Sequence, residues 1–301
     1  MDLPRLIVIC GATATGKSDL AIELAKAIDG EIINADSMQL YRGMDIGTAK
    51  LSIEERHGVP HHLLDVLDVR EDATVAGYQK LARAALDEIR SRNKAAIIVG
   101  GTGLYIKAIF DEMNFPETDP AIRASLEEEA EIQGSAFLYS RLQVLDPQAA
   151  DAIEPANTRR IIRALEVIEA TGKPFSANLP KDESLLYPEG LHFGLAMDRE
   201  ALAPRIAARV EKMWQNGLID EVKGLLANGL LEGKTAQRAI GYAQAIAQIS
   251  GEMTEEAAKE STIVATRQYV RRQETWFKRD ARIQWIAAEQ PRLATILEKL
   301  N

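Results

Sequence analysis

An eight-residue phosphate-binding motif near the start of the chain constrains the fold most strongly. Gly11 to Ser18 reads GATATGKS and fits G-x-x-x-x-G-K-[ST], directly after the apolar run Leu6 to Cys10. In this motif backbone N–H groups and the lysine hold phosphate oxygens, and the hydroxyl residue reaches Mg²⁺. The motif needs a strand before it and a helix after it, so the sequence predicts a βαβ unit at the start of a parallel sheet.

Apolar runs further along extend this unit into an α/β fold. They predict strands at 31–34, 95–99 and 191–197, and a closing strand at 283–285. We expect a P-loop NTPase-like parallel sheet with flanking helices and a helical insertion domain. The helices that the apolar spacing predicts around the sheet are 19–28, 77–92, 199–228, 236–250 and 255–278.

The helical insertion interrupts the predicted core near the middle of the chain. An acidic helix over 121–133 follows Asp119, a residue suited to cap it, and a second helix is predicted over 158–170. The predicted boundaries give a catalytic core of residues 1–113 and 185–301 and an insertion of residues 114–184.

Composition is that of an ordinary globular protein in a reducing compartment. Of the 301 residues 46% are hydrophobic and 27% charged, and the one cysteine, Cys10, lies in the first predicted strand, where we expect it to pack. The apolar runs are too short for a membrane span or a secretion signal. We therefore expect a cytoplasmic monomer without membrane contact. The net charge of −9 argues against indiscriminate polyanion binding.

Polar residues follow two further strands at the edge where the phosphate-binding loop is expected. Asp36-Ser37-Met38-Gln39 come after the second strand, and Thr102 lies in the glycine-rich loop after the third. A carboxylate beside phosphate suits a metal or proton abstraction, although a solvated turn aspartate is the alternative. Thr102 suits contact with phosphate, a metal-bound water or the acceptor, or simple helix capping. No acidic residue directly follows the third strand, which weakens an ATPase or GTPase interpretation.

Basic residues cluster at two places that suit RNA. The segment 159–163 carries three arginines on one helical stretch, which suits phosphate or an RNA backbone, although a solvated helix face is the alternative. The predicted helix 255–278 interleaves basic residues with Tyr269, Trp276 and Phe277. Base stacking and core packing explain these three aromatic residues equally well.

Longer motifs resemble the tRNA dimethylallyltransferase family, also called tRNA isopentenyltransferases or IPP transferases. The stretches NADSMQLYRGMDIGTAK at 34–50 and VGGTGLYIKA at 99–108 are far more specific than the phosphate-binding loop, and the resemblance covers about residues 6–285. The other motifs that carry it are VPHHLLD at 59–65, RALEV at 163–167, IGY at 240–242 and TRQYVRRQETWFKR at 266–279.

The resemblance implies a prenyl transfer that uses a diphosphate as leaving group. A dimethylallyl group would pass from dimethylallyl diphosphate to N6 of the adenosine immediately 3′ of the anticodon of tRNA. Asp36 would take the proton from N6 and Thr102 would assist positioning. Lys17 would stabilise the departing diphosphate, and Ser18 would hold Mg²⁺.

The resemblance also assigns residues to each substrate. Those assigned to the diphosphate or a nucleotide are Gly11, Ala12, Thr13, Ala14, Thr15, Gly16, Lys17, Ser18 and Arg238. Those assigned to tRNA are Asp36, Ser37, Met38, Gln39, Thr102, Arg123, Arg159, Arg160, Ile161, Ile162, Arg163, Arg271 and Arg272.

Three other functions fit part of the sequence. A P-loop nucleoside or nucleotide kinase shares the first βαβ unit but leaves the basic C-terminal helix unexplained. A prenyltransferase acting on free AMP or ADP would need no RNA surface. A non-catalytic RNA-binding protein could keep a regulatory nucleotide in the crevice, but it leaves the set Lys17, Ser18, Asp36 and Thr102 without a use.

Overall fold

A six-stranded parallel sheet forms the core of the chain. The structure is a computed structural model that describes residues 6–113, 115–116, 118–178 and 185–300. The strands are β1 (Leu6–Gly11), β2 (Gly30–Asn34), β3 (His61–His62), β4 (Ala95–Gly100), β5 (Leu191–Leu195) and β6 (Ile283–Ile286). Their order across the sheet is β3-β2-β4-β1-β5-β6, and each neighbouring pair is parallel.

Helices connect and follow these strands. In chain order they are α1 (Lys17–Ile28), α2 (Val75–Ser91), α3 (Gly103–Phe110), α4 (Pro120–Gln133), α5 (Ser135–Leu145), α6 (Pro147–Ala152), α7 (Thr158–Thr171), α8 (Arg199–Gln215), α9 (Leu218–Ala227), α10 (Tyr242–Ile249), α11 (Glu255–Phe277) and α12 (Arg292–Leu300). Among the helices of the described residues, none has the length and apolar character needed to cross a membrane.

Alternate side chains of β1 enter two separate hydrophobic layers, because successive side chains of a strand point to opposite faces. Val8 lies in one cluster with Leu86 of α2. Ile9 lies in the other cluster, with Leu24 of α1 and Ile296 of α12. Since helices cover both faces, β1 is buried along its whole length, as its uninterrupted apolar sequence predicts.

The chain divides into two compact units. One holds the chain up to Phe110 and from Tyr187 onward, and the other spans Asp111–Leu186. The second unit contains α4 to α7 around its own apolar core, which includes Leu138 and Leu165. The predicted insertion boundaries at 114 and 184 both fall outside the described residues, so those exact boundaries stay predictions.

Two helices predicted as continuous are broken by glycine, and that part of the prediction is wrong. The segment 199–228 forms α8 and α9, separated at Gly217 with φ of 95°, and α10 begins only after Gly241 with φ of 92°. Glycine takes this left-handed conformation without a Cβ clash, so the helical apolar spacing continues while the helix ends. The remaining predicted helices and strands are present, with ends within two residues of the prediction.

Candidate active site

The phosphate-binding loop joins β1 to α1, as the motif predicts. Gly11 has φ of 135°, and a Cβ there would lie 2.9 Å from the carbonyl oxygen of Leu195, so this position needs glycine. Gly16 has φ of 84° and directly precedes α1. The unpaired N–H groups and the positive dipole end of α1 therefore lie at the end of β1, which is the arrangement that binds phosphate.

Lys17 occupies the first position of α1 and bends back onto the loop. Its Nζ donates a hydrogen bond to the carbonyl oxygen of Ala12 at 2.6 Å. Burial lowers the pKa of Lys17 to about 8, although the carboxylate of Asp36 opposes this shift. An anion bound beside Lys17 would raise this pKa again, because a nearby negative charge favours the ammonium form.

Two arginines from distant helices also hold the loop. Arg205 of α8 donates to the carbonyl oxygen of Ala14 at 3.2 Å, and Arg292 of α12 donates to that of Thr15 at 2.7 Å. Neither arginine is predicted from the sequence, because neither lies in a recognisable motif and each is separated from the loop by more than 190 residues.

Asp36 and Thr102 follow β2 and β4, which are neighbours in the sheet, and hydrogen bonds join their loops. Ser37 N donates to Thr102 Oγ1 at 3.2 Å, and Thr102 N donates to the carbonyl oxygen of Ala35 at 3.1 Å. The Asp36 carboxylate accepts from Met38 N at 2.9 Å. The loop carrying Asp36 is thus fixed against the loop carrying Thr102.

Gln273 of α11 links this pair of loops to the phosphate-binding loop. It is 5% exposed, accepts from Thr13 N at 3.0 Å and donates to the carbonyl oxygen of Gly101 at 3.0 Å. A Cβ on Gly101 would lie 2.1 Å from the Gln273 amide nitrogen, so glycine allows this close approach. Gln273 is not among the predicted site residues, although it lies inside the motif TRQYVRRQETWFKR.

A cleft of about 1460 Å³ brings these elements together within the first unit. Its walls are the phosphate-binding loop, the loops after β2 and β4, and one side of α8. The cationic residues that line it are Lys17, Lys50, Arg205, Arg209, Lys212 and Arg292, and the acidic ones are Asp19, Glu23, Asp36, Asp45 and Glu55. Lys17, Arg205 and Arg292 donate hydrogen bonds to carbonyl oxygens of the phosphate-binding loop, so positive charge lies directly at the loop, and Asp36 is an acidic group on the same cleft.

The exposed basic residues of α11 and Arg238 lie elsewhere in the first unit. Arg271 and Arg272 are exposed on α11, and the Arg272 guanidinium lies 5.7 Å from the ring centre of Tyr269. Arg238 is exposed on a single 3₁₀ turn and does not line the cleft, so the structure places Arg205 and Arg292, and not Arg238, at the phosphate-binding loop.

The sequence left base stacking and core packing open for the aromatic residues of α11, and the structure shows that these residues differ in burial. Phe277 is 2% exposed and belongs to the hydrophobic cluster that contains Val8 of β1. Trp276 is 43% exposed, although part of its ring packs on Gly103. Tyr269 is partly buried, and burial raises its pKa to about 12. Core packing explains Phe277, while Trp276 keeps a surface that can stack on a base.

The predicted tRNA-binding residues of the second unit differ in accessibility. Arg159 and Arg160 are exposed at the start of α7. Ile161 and Ile162 are 0% and 5% exposed and belong to the core of the unit, so their side chains are not available to RNA and their assignment to tRNA, which would have to use the backbone, stays a prediction. The helical periodicity of α7 turns these two residues inward.

Arg123 and Arg163 are both paired with one buried carboxylate. Glu166 is fully buried, and its Oε2 lies 3.0 Å from Arg163 Nη1 and 3.6 Å from Arg123 Nη1. Arg163 also donates to the carbonyl oxygen of Pro116 at 2.7 Å. The two guanidinium groups are therefore held in fixed positions while about a quarter of each side chain stays exposed.

The parallel sheet, the glycine-rich loop after β1 and the start of α1 define a P-loop α/β protein with an NTPase-like fold. The profile of the IPP transferase family matches residues 39–280. The chain belongs to this family.

Relatives cover nearly the whole chain. The tRNA dimethylallyltransferase of Streptomyces coelicolor is 53% identical over 300 residues, covering 98% of this chain and 96% of the relative. The tRNA dimethylallyltransferase of Thermobifida fusca is 54% identical over 296 residues, covering 97% of this chain and 92% of the relative.

Solved structures agree with this relationship. A tRNA isopentenylpyrophosphate transferase of Bacillus halodurans matches with a TM-score of 0.71 and 40% identity, over 99% of this chain and 95% of that chain. A eukaryotic dimethylallyltransferase acting on tRNA matches with a TM-score of 0.81 and 29% identity, over 94% of this chain and 73% of that chain.

Proposed function

We propose that this protein transfers a dimethylallyl group from dimethylallyl diphosphate to N6 of the adenosine immediately 3′ of the anticodon in tRNA, position 37, and releases diphosphate. The observation that carries this proposal is the meeting of the phosphate-binding loop and Asp36 in one cleft, in a chain 53% identical to a tRNA dimethylallyltransferase over nearly its whole length. The cleft offers cations for a leaving diphosphate and a carboxylate for the acceptor.

The donor half of the reaction depends on stabilising charge on the departing diphosphate. The bond between C1 of the dimethylallyl group and the diphosphate oxygen breaks, and that oxygen takes both electrons. The N–H groups at the start of α1, Lys17 and the fixed guanidinium groups of the cleft bind this negative charge. Because no water is activated, the lack of an acidic residue directly after β4 fits this chemistry.

The acceptor half needs a base. The lone pair of N6 forms the new bond to C1, and one proton leaves N6. Asp36 lies in the same cleft as Lys17 and accepts this proton, and Thr102 positions the loop that carries Asp36 through Ser37 N.

A divalent cation fits the donor side of the cleft. Ser18 is exposed at the start of α1, where its hydroxyl can serve as one ligand while diphosphate oxygens and waters supply the others. No group of three or more His, Cys, Asp or Glu side chains in the described residues forms a separate metal cage. Mg²⁺ bound to Ser18 and the diphosphate would further neutralise the leaving group.

The tRNA would use surfaces of both units. Ser37, Met38 and Gln39 adjoin Asp36, Arg271 and Arg272 are exposed on α11, and the second unit offers Arg123, Arg159, Arg160 and Arg163. Arg238 is exposed on its 3₁₀ turn outside the cleft, and its assignment to the diphosphate stays a prediction. We propose that the protein acts as a monomer. We also propose that it acts in the cytoplasm, because its acceptor is tRNA.

The test is label transfer from radiolabelled dimethylallyl diphosphate with Mg²⁺. The acceptors are an unmodified anticodon stem-loop with adenosine at position 37, the same RNA with guanosine there, and free AMP. Asp36→Asn removes the base at nearly constant volume. The matched control is Asp220→Asn, which removes a carboxylate from an exposed position of α9 outside the cleft.

We expect label only in the RNA with adenosine 37, with kcat reduced by at least about 100-fold in Asp36→Asn and unchanged in Asp220→Asn. Label in AMP would instead indicate a free-nucleotide prenyltransferase. ATP consumption with a nucleoside and no prenyl transfer would indicate a kinase. Label in the guanosine RNA would contradict N6 as the acceptor.

A further inference from the structure

Arg292 reaches the phosphate-binding loop from the far end of the chain. Its Nη1 donates to the carbonyl oxygen of Thr15 at 2.7 Å, and a Cβ on Gly16 would lie 3.4 Å from the same nitrogen. Arg292 also lines the cleft together with Lys17 and Ser18. It therefore lies at the point where the loop enters α1, which is where a phosphate group would bind.

The packing of α12 fixes this guanidinium. Ile296 and Leu300 are 0% and 5% exposed and lie in one cluster with Leu20 and Leu24 of α1. Because α12 packs along α1, its first residue is held beside the first turn of α1. Arg292 lies beyond residues 39–280, which the family profile covers, and no motif of the sequence includes it.

The hydrogen bond to Thr15 leaves part of this guanidinium group without a partner. Its Nε is buried and has no hydrogen-bond partner among the described residues. A buried donor without a partner costs folding free energy. A cleft-lining arginine with such an unpaired donor suits a site with a further demand for positive charge.

The chemistry of the cleft creates that demand. A diphosphate carries several negative charges, and Lys17 supplies only one positive charge to oppose them. The guanidinium group of Arg292 adds a permanent positive charge at the same loop.

We propose that Arg292 is a positioning residue of the donor site, which fixes the phosphate-binding loop through the Thr15 carbonyl and adds permanent positive charge beside the bound diphosphate. This inference rests on the proposed function for the identity of the donor, but its binding role applies to any diphosphate in this cleft. It extends the donor site to α12.

The test measures binding of radiolabelled inorganic pyrophosphate by equilibrium dialysis to the full chain. The variants are Arg292→Ala, Arg292→Lys and the control Lys299→Ala, which removes one positive charge from the exposed end of the same helix. KM for dimethylallyl diphosphate and for the anticodon stem-loop is measured in parallel, and thermal unfolding shows that each variant is folded.

We expect Arg292→Ala to weaken pyrophosphate binding and to raise KM for dimethylallyl diphosphate by about tenfold, with KM for the RNA unchanged. Arg292→Lys should recover part of the loss, because it keeps the charge, and Lys299→Ala should bind as the wild type does. If Arg292→Ala does not fold, Arg292→Gln takes its place with the same criterion.

Weakening of less than threefold, or equal weakening by Lys299→Ala, would overturn the inference. The two proposals fail separately. A wild type that binds pyrophosphate through Arg292 but transfers no prenyl group to RNA contradicts the proposed function alone. A wild type that prenylates RNA with no effect of Arg292 contradicts only this inference.

Discussion

Tyr242 donates its hydroxyl to Glu221 Oε1 at 2.5 Å, and the same carboxylate accepts three backbone N–H groups from the loop after β2. These donors are Asp45 N at 3.2 Å, Ile46 N at 2.8 Å and Gly47 N at 3.5 Å. The loop that begins with Asp36 is thus tied at its far end to α9 and α10. The tyrosine of the IGY motif therefore has a role in shaping the cleft, although it lies outside it.

Gly47→Ala should destabilise the protein, because a Cβ there would lie 2.3 Å from Cε2 of the buried Tyr242 ring. Overpacking of this kind costs about 1–3 kcal/mol in the free energy of unfolding, measured by urea denaturation. Tyr242→Leu removes the opposing ring atoms, so the double variant should be less destabilised than the sum of the two single variants.

The control for this experiment is Gly224→Ala in α9, where a Cβ meets nothing within 4 Å. Alanine there should leave stability unchanged or raise it by up to about 1 kcal/mol, because alanine is the better helix former. A Gly47→Ala protein as stable as the wild type would show that Tyr242 can move away, and the anchoring role would then be wrong.

Gln273→Leu should loosen the contact between the phosphate-binding loop and the loop after β4. The change keeps the approximate volume but leaves Thr13 N and the carbonyl oxygen of Gly101 without their partner. Each unsatisfied group costs about 1–3 kcal/mol, so we expect a lower free energy of unfolding in urea and a lower kcat/KM for dimethylallyl diphosphate. Glu260→Gln, on the exposed surface of α11, should stay within about 0.5 kcal/mol of the wild type. Equal stability of the Leu variant would mean that water replaces the amide.

Pyrophosphate binding should depend on pH through Lys17. Burial lowers its pKa from 10.5 to about 8 in the free protein, and a bound anion favours the ammonium form. The contribution of Lys17 to binding is therefore complete only well below pH 8 and is lost as the pH rises through about 8. Above pH 8 the free protein has lost the proton that the complex needs, so the dissociation constant rises by up to about tenfold per pH unit.

The matched reference is Lys17→Arg, whose charge does not titrate in this range. Pyrophosphate itself ionises further as pH rises, so the informative quantity is the ratio of the two dissociation constants between pH 6.5 and 9.5. We expect this ratio, wild type over Lys17→Arg, to rise above pH 8. A constant ratio would show that Lys17 stays protonated in the free protein.

Local motifs predict the parts of the site that are continuous in sequence. Lys17 and Asp36 each lie within a few residues of the end of a strand, and the parallel sheet brings the segments that follow these strands to one edge, so the sequence suffices to place them. Gln273 and Arg292 lie about 260 and 277 residues from their partners in the phosphate-binding loop. Their contacts depend on how α11 and α12 pack, which spacing along the chain does not encode.

The ends of the helices are also not fully predictable from the sequence. The apolar spacing continues across Gly217 because α8 and α9 both pack on one core around Tyr242, and only the left-handed backbone at this glycine separates the two helices. The spacing of apolar residues indicates which side chains are buried, but it does not indicate where a helix ends.

Glu166→Gln should disrupt the second unit and weaken its proposed contact with RNA. The amide keeps the volume of the carboxylate and can still accept from Asp119 N, which now donates to Glu166 at 3.1 Å, but it leaves Arg163 and Arg123 without their buried counter-charge. Because both arginines are about a quarter exposed and Arg123 also pairs with Glu127 at 3.1 Å, we expect a loss of about 1–3 kcal/mol, less than for a fully buried ion pair. Faster amide hydrogen exchange in α4 and α7 would report this loss.

The arginines held by Glu166 are proposed to contact tRNA, so the variant should also bind the anticodon stem-loop more weakly while its pyrophosphate dissociation constant stays unchanged. Glu128→Gln, on the exposed surface of α4, removes the same charge without a buried partner and should alter neither quantity. Faster amide hydrogen exchange with unchanged RNA affinity would show that Glu166 stabilises the second unit but does not contribute to RNA binding. Weaker RNA binding that Glu128→Gln reproduces would instead reflect net charge, because long-range electrostatics act on RNA whichever carboxylate is removed.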